Sequence, residues 1–125
     1  MYSAQLEAYR TTQKSTMSGR EIEASVLTKA ALMLKACQDN WDDGDRQERL
    51  EEALRYNQHL WSIFQGELAR PDNPLPKKLR EDILSLSAFI DRRTFEILAH
   101  PLPEKLTALI NINLNLAAGL RGSPG

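Results

Sequence analysis

The sequence predicts an all-α protein, a compact bundle of four long helices preceded by a short N-terminal helix. Three observations carry that expectation. Apolar residues recur at spacings of three and four through four long segments, which is the period of a helix that buries one face. Each segment is bounded by glycine, proline or a Ser/Asp-x-x-Glu pattern that starts or stops helices. The stretch LININLNLAAGL, residues 109–120, alternates like a strand but has no second strand to pair with. A lone buried strand would leave its backbone amides and carbonyls unsatisfied, so this stretch also reads as helix.

The elements follow in order. Tyr2, Leu6 and Tyr9 suit one face of the short first helix. In SGRE, Ser18 and Glu21 form a capping box ahead of Ile22, Val26, Leu27, Ala30, Met33, Leu34, Cys37 and Trp41. DNWDDGD ends that run, with Gly44 free to turn. Asp45 and Glu48 repeat the capping pattern before a helix carrying Leu50, Ala53, Leu54, Leu60, Trp61, Phe64 and Leu68. RPDNPLP breaks it, and Pro76 suits the first position of the next helix. That helix, roughly 77–100, carries Leu79, Ile83, Leu86, Phe89, Ile90 and Ile97. HPLPE ends it, and Pro103 can open the last helix. One domain is expected over 1–120, with RGSPG, residues 121–125, as a flexible tail.

Composition narrows the class of function. A chain of 125 residues suits a single domain with a proper core. Sixteen basic side chains against seventeen acidic ones leave a net charge of −1, which gives no general attraction for nucleic acid or an anionic membrane. A single cysteine, Cys37, excludes an internal disulfide and fits a reducing compartment. The first residues lack the apolar core of a signal peptide. No apolar run reaches the roughly 18 residues of a membrane span. A cytoplasmic protein without membrane insertion is expected.

Two asparagines stand out. On a helix turning about 100° per residue, Leu106, Leu109, Ile110, Ile112, Leu114, Leu116, Ala117 and Leu120 share an arc of roughly 200°. Asn111 and Asn115 fall on the opposite side, but Asn113 falls inside the arc. Asn57 likewise sits at the centre of the stripe from Leu50 to Leu68. A buried amide without partners destabilises a core by about 1–3 kcal/mol. The expectation is that the two amides meet inside the bundle and fix helix pairing and register. The alternative is that one of them faces a partner protein.

Residues with catalytic chemistry are sparse. His59 projects away from the stripe of its helix, and His100 ends a helix where positive charge suits the dipole. Cys37 lies on an apolar face and reads as a small buried hydrophobe. DNWDDGD lacks an EF-hand's ligand spacing because Trp41 occupies a ligand position. There is no glycine-rich phosphate loop, CxxC pair or nucleophile elbow. No catalytic residue, metal site or cofactor is therefore expected. Arg92 and Arg93 are flanked by Asp91 and Glu96 and form no basic patch. Arg93 points toward an apolar stripe, so a carboxylate partner is expected for it, in the bundle or at an interface.

The third long helix carries more apolar surface than one face requires. Besides its main stripe it has a second one nearly opposite, of Leu84, Ala88, Phe95 and Ala99, with Leu98 at the edge. Such a helix is either central in the bundle or touches something else. In the second case Leu84, Ala88, Phe95 and Leu98 are the candidate partner-binding residues, facing a groove for an amphipathic helix. Leu32 and Ile63 also lie outside their main stripes.

The segments LRYNQHLWSIF, PDNPLP, RRTFEIL and LININLNLAAGL, with AYRTTQKSTMSGREIEASVLTKAALML before them, resemble the FlaF family of flagellar biosynthesis regulators. The resemblance runs from about Tyr2 to Leu120 and includes Tyr56, Asn57, Trp61, Asn73, Pro74, Arg93, Asn111 and Asn113. It implies a small helical cytoplasmic protein needed for normal production or export of flagellin, acting alongside FlbT, a regulator of flagellin messenger RNA. It supplies no catalytic residues. Flagellin's terminal segments resemble amphipathic helices that pack together only in the filament, and before export they would expose apolar stripes. A flagellin-binding export chaperone or adaptor is the reading on which resemblance and residues agree. The alternative is a post-transcriptional regulator working with FlbT, since near-neutral charge disfavours binding RNA alone. An enzyme has little support.

Overall fold

A computed structural model of the chain describes residues 19–122. Within them lie helices α1 (Gly19–Asp39), α2 (Arg46–Leu68), α3 (Lys77–Ala99) and α4 (Leu106–Gly122), with a 3-10 turn at Pro103–Lys105 before α4. There is no strand among the described residues, and LININLNLAAGL lies wholly within α4. The expected short helix around Tyr2, Leu6 and Tyr9, the Ser18 cap and residues 123–125 lie outside the described residues. Arg121 and Gly122, placed in the tail by sequence, belong to α4.

The helices alternate in direction. Gln38 on α1 donates to the carbonyl of Pro103 and to Thr107 Oγ1, each at 2.9 Å. At the other end Arg121 on α4 donates to Thr28 Oγ1 at 3.1 Å and reaches Glu21 at 3.4 Å. These two ties clamp α1 antiparallel to α4, the most extensive helix pairing among the described residues. α2 packs on α1, and α3 packs chiefly on α2. The first of these pairings brings Lys29 over the Tyr56 ring at 5.2 Å.

The turns are built by the residues that break the helices. Asn73 folds back so that its amide donates to the Glu67 carbonyl at 3.0 Å, while its Oδ1 accepts from the Leu75 amide at 3.0 Å. One side chain thus adds a second hydrogen bond to the Glu67 carbonyl, which also accepts from the Arg70 amide, and shapes the turn before Pro76. Pro76 occupies the cap position of α3, one residue before its first helical residue. Lys105 donates to the His100 carbonyl at 2.7 Å and holds the α3–α4 corner.

The core comprises Leu27, Ala30 and Leu34 from α1, Leu50, Leu54 and Trp61 from α2, Ile90 and Ile97 from α3, and Leu106 and Leu109 from α4. Small residues Ala24, Ala31, Ala53 and Ala117 are buried between them and let the helices approach closely. Trp61 meets Phe64 edge-on, with ring centroids 5.6 Å apart.

α3 departs from the expected pattern in two ways. Its buried residues are Ile83, Ser87, Ile90, Thr94 and Ile97, whereas Leu79 is exposed. The buried face includes two hydroxyl side chains, while Leu79, which shares the face of Ile97, is exposed in the first turn of the helix. Both hydroxyls find partners: Thr94 donates to the Ile90 carbonyl at 2.7 Å, and Ser87 accepts from Gln65 on α2. The helix is also not central in the bundle, because it packs mainly on one neighbour.

Candidate functional site

The outward side of α3 carries Leu84, Phe95 and Leu98, exposed to 38%, 66% and 46%, with Ala88 and Ala99 also exposed. On a helix turning about 100° per residue, this row lies roughly 110° from the buried row of Ile83, Ile90 and Ile97. The two apolar rows are therefore adjacent rather than opposite. Leu102, just beyond the helix, is 45% exposed and extends the apolar end of the row.

Polar residues border this surface. On the α2 side, Gln65 reaches both Ser87 and Asp91. Leu98 shares a shallow recess of about 290 Å³ with Glu51, Leu54, Arg55 and Gln58. On the other side lie Arg92 and Glu96, both exposed. An apolar strip with a charged and amide rim is the anatomy of a protein-binding patch. The strip is straight because a single helix builds it, and that shape suits an amphipathic helix laid alongside.

Arg93 is half-buried and lies over the Phe89 ring at 5.3 Å, with its Nε 3.7 Å from Glu96 Oε2. At that distance the carboxylate is an ion-pair partner and not a hydrogen-bond acceptor. Arg93 Nε accordingly has no hydrogen-bond partner among the described residues. The side chain covers α3 on the side away from the exposed row.

Asn57 and Asn113, both fully buried, face each other across the α2–α4 contact. Asn113 Nδ2 donates to Asn57 Oδ1 at 2.7 Å, and Trp61 Nε1 donates to Asn113 Oδ1 at 3.0 Å. The indole N–H fixes which way the Asn113 amide points, and that amide in turn fixes Asn57. Asn57 Nδ2 has no hydrogen-bond partner among the described residues. Neither asparagine reaches the surface, so this network locks α2 against α4 and lies apart from the exposed row of α3.

Sequence reasoning missed Gln65, Ser87 and Thr94. A signal was available, since Ser87 and Thr94 complete the alternating four- and three-residue spacing begun by Ile83 and ended by Ile97. The remaining candidates for chemistry are scattered. Cys37 is buried, and its burial pushes the thiol up, with Arg49 pulling the other way and Glu52 and Asp45 adding to the rise. Thiolate chemistry is disfavoured at such a thiol. His59 and His100 are exposed and on different elements. Among the described residues no group of three or more His, Cys, Asp and Glu side chains is placed to hold a metal ion. No helix among them is long and apolar enough to cross a membrane.

A larger open recess of about 500 Å³ runs along the outer side of α1, lined by Ser25, Thr28, Leu32, Met33 and Arg121. Leu32 is 60% exposed there. The recess includes the Arg121 tie between α1 and α4.

Among the described residues, fold and surface define a small antiparallel helical bundle with a buried polar network and an exposed apolar row on α3. The profile of the family described as flagellar protein FlaF matches residues 5–120. The chain belongs to the FlaF family of flagellar proteins. No curated relative and no solved structure matches it.

Proposed function

We propose that this protein is a non-catalytic export chaperone or adaptor that binds flagellin and supports its synthesis and secretion. The exposed row Leu84, Ala88, Phe95 and Leu98 on the outermost helix supports this reading. Membership in a flagellar family directs it toward a flagellar partner. Flagellin's terminal segments resemble amphipathic helices that pack together only in the filament. An unassembled subunit carrying such a helix gains by covering its apolar face, and a straight apolar strip with a polar rim provides the cover. Covering that row gains roughly 25 cal/mol per Å² of apolar surface, part of which offsets the entropy of association.

The test is a calorimetric titration of the purified protein with monomeric flagellin, repeated with each flagellin terminus deleted. Saturable binding that vanishes with one terminus supports the reading and locates the recognised helix. No heat at tens of micromolar contradicts it and favours regulation through FlbT, with FlbT covering the same row.

A further inference from the structure

We propose that residues 2–14 form a helix that folds back on α1 and seats Tyr2, Leu6 and Tyr9 in the open recess lined by Ser25, Thr28, Leu32 and Arg121. The recess is on a different helix from the α3 row, and the proposal does not rest on the flagellin reading.

The recess is a row along α1 that no described helix covers. On a helix turning about 100° per residue, Ser25, Thr28 and Leu32 share an arc of roughly 60°, nearly opposite the buried row of Leu27, Ala30 and Leu34. Leu32 is 60% exposed at its far end. The chain itself brings an occupant. Residues 1–18 run directly into α1 and lie outside the described residues. The family profile begins at residue 5, so most of this segment belongs to the domain that the family shares.

The spacing fixes a register. Four residues, Ser15–Ser18, are an ordinary connection between two antiparallel helices. They set residue 14 level with residue 20, and each step back along one helix is then a step forward along the other. Tyr9 falls level with Ser25, Leu6 with Thr28, and Tyr2 with Leu32. The intervals agree, because Tyr2, Leu6 and Tyr9 are spaced by four and three, as are Leu32, Thr28 and Ser25 read in reverse. Residues 2–14 and 20–32 each span about 18 Å at roughly 1.5 Å per residue. Large side chains thus meet small ones at two of the three levels, and Tyr2 covers Leu32. Lys14 and Arg20 share a level, but each lies roughly 110° from the contact face. The rim suits a tyrosine. Arg121 reaches Thr28 at 3.1 Å and Glu21 at 3.4 Å, about one turn to either side of Ser25. Its guanidinium therefore stands at the level of the Tyr9 ring, where a cation over an aromatic face is favourable.

Disulfide trapping in the full chain tests the seat. In a Cys37→Ala background, Tyr9→Cys with Ser25→Cys should close an intrachain disulfide under mild oxidation. It should do so at least about tenfold faster than Tyr9→Cys with Phe95→Cys, whose second site is on the exposed row of α3. Tyr2→Cys with Leu32→Cys is the second pair and should behave the same way. Equal rates at the α1 and α3 sites overturn the proposal, as does failure of both α1 pairs to close. A disulfide that joins two chains instead of one also overturns it and makes the recess a contact between copies. Thermal unfolding gives an independent readout. Leu32→Asp would cost little at a position that stays open to water, but under a seated helix it should lower Tm by about 5 °C. With Leu6→Asp already present, Leu32→Asp should lower Tm by less than about 2 °C, because the cover is gone. A Leu32→Asp variant with unchanged Tm, or equal effects of Leu32→Asp with and without Leu6→Asp, overturns the proposal. Flagellin binding that is lost in Leu32→Asp while neither α1 pair closes would give the recess to a partner and overturn it too.

Discussion

Replacing Asn113 by alanine is the most informative perturbation of the core. The substitution removes the acceptor of the Trp61 indole N–H and the donor to Asn57 Oδ1. Both remaining groups sit on residues with no exposed surface, so water does not replace the lost partner. Each lost hydrogen bond is worth about 1 kcal/mol, and stranding the indole N–H adds its desolvation cost, for a total of about 3 kcal/mol. For a domain of this size such a loss lowers Tm by roughly 12 °C. Asn57→Ala should cost less, about 1–2 kcal/mol, because it also removes the Nδ2 that already lacks a partner and leaves the Trp61–Asn113 bond in place. Because the two residues share a bond, the double variant should be less destabilised than the sum, with a coupling of about 1 kcal/mol. Urea unfolding followed by far-UV circular dichroism measures all four corners of the cycle. Additive effects, or an Asn57→Ala variant more damaging than Asn113→Ala, would refute the reasoning that Asn113 is the hub of the network.

Other perturbations follow from the same geometry. Gly66 lies inside α2 with nothing within 4 Å of an added Cβ, so Gly66→Ala should stabilise by about 0.5–1 kcal/mol, read as a rise in the urea midpoint. Glu23 is pushed up by partial burial and by Glu67, against a pull from Arg20, so the native state holds that proton more tightly than the unfolded chain does. Stability then falls as pH rises through the carboxylate range. Glu23→Gln should accordingly raise Tm slightly at pH 7 and not at about pH 3, where both states are protonated. Thr94→Val keeps the volume of a buried residue whose hydroxyl donates within its own helix. Thermal unfolding should show a loss under about 1.5 kcal/mol, against more for Ser87→Val, which removes an acceptor of the Gln65 amide and adds bulk at a buried position.

The four helices were legible because their punctuation is local. Proline, glycine and acidic starts act within a few residues of where they stand. The misleading alternation in LININLNLAAGL was resolved by counting backbone partners. Asn57 and Asn113 were legible as anomalies, since an amide inside an apolar stripe stands out at helical spacing. That Trp61 orients them was not legible, because an indole N–H announces nothing in sequence. The hydroxyl part of the buried α3 face was hidden for a related reason. A hydroxyl counts as polar in a pattern, yet Thr94 satisfies its own hydroxyl within its helix, and Ser87 needs Gln65 from another helix. Patterning by polarity therefore misses Ser87 and Thr94, whereas Leu79 shares the face of Ile97 about five turns on and is exposed because it stands in the first turn of α3. Leu114 belongs to the apolar arc of α4 by spacing, yet it is 40% exposed. The second row on α3 was legible as a row. Its neighbours, Gln65 and the recess beside Leu98, depend on α2 and could be found only in the fold.

The role of that row is tested most directly by titrating monomeric flagellin into the wild type and into a Leu84→Asp/Phe95→Asp variant. Both side chains project from the surface, so the variant should keep its helical circular dichroism and a Tm within about 3 °C of the wild type. Saturable binding to the wild type, weakened at least about a hundredfold in the variant, is the expected result. Equal binding by a fully folded variant would show that the α3 row does not hold flagellin.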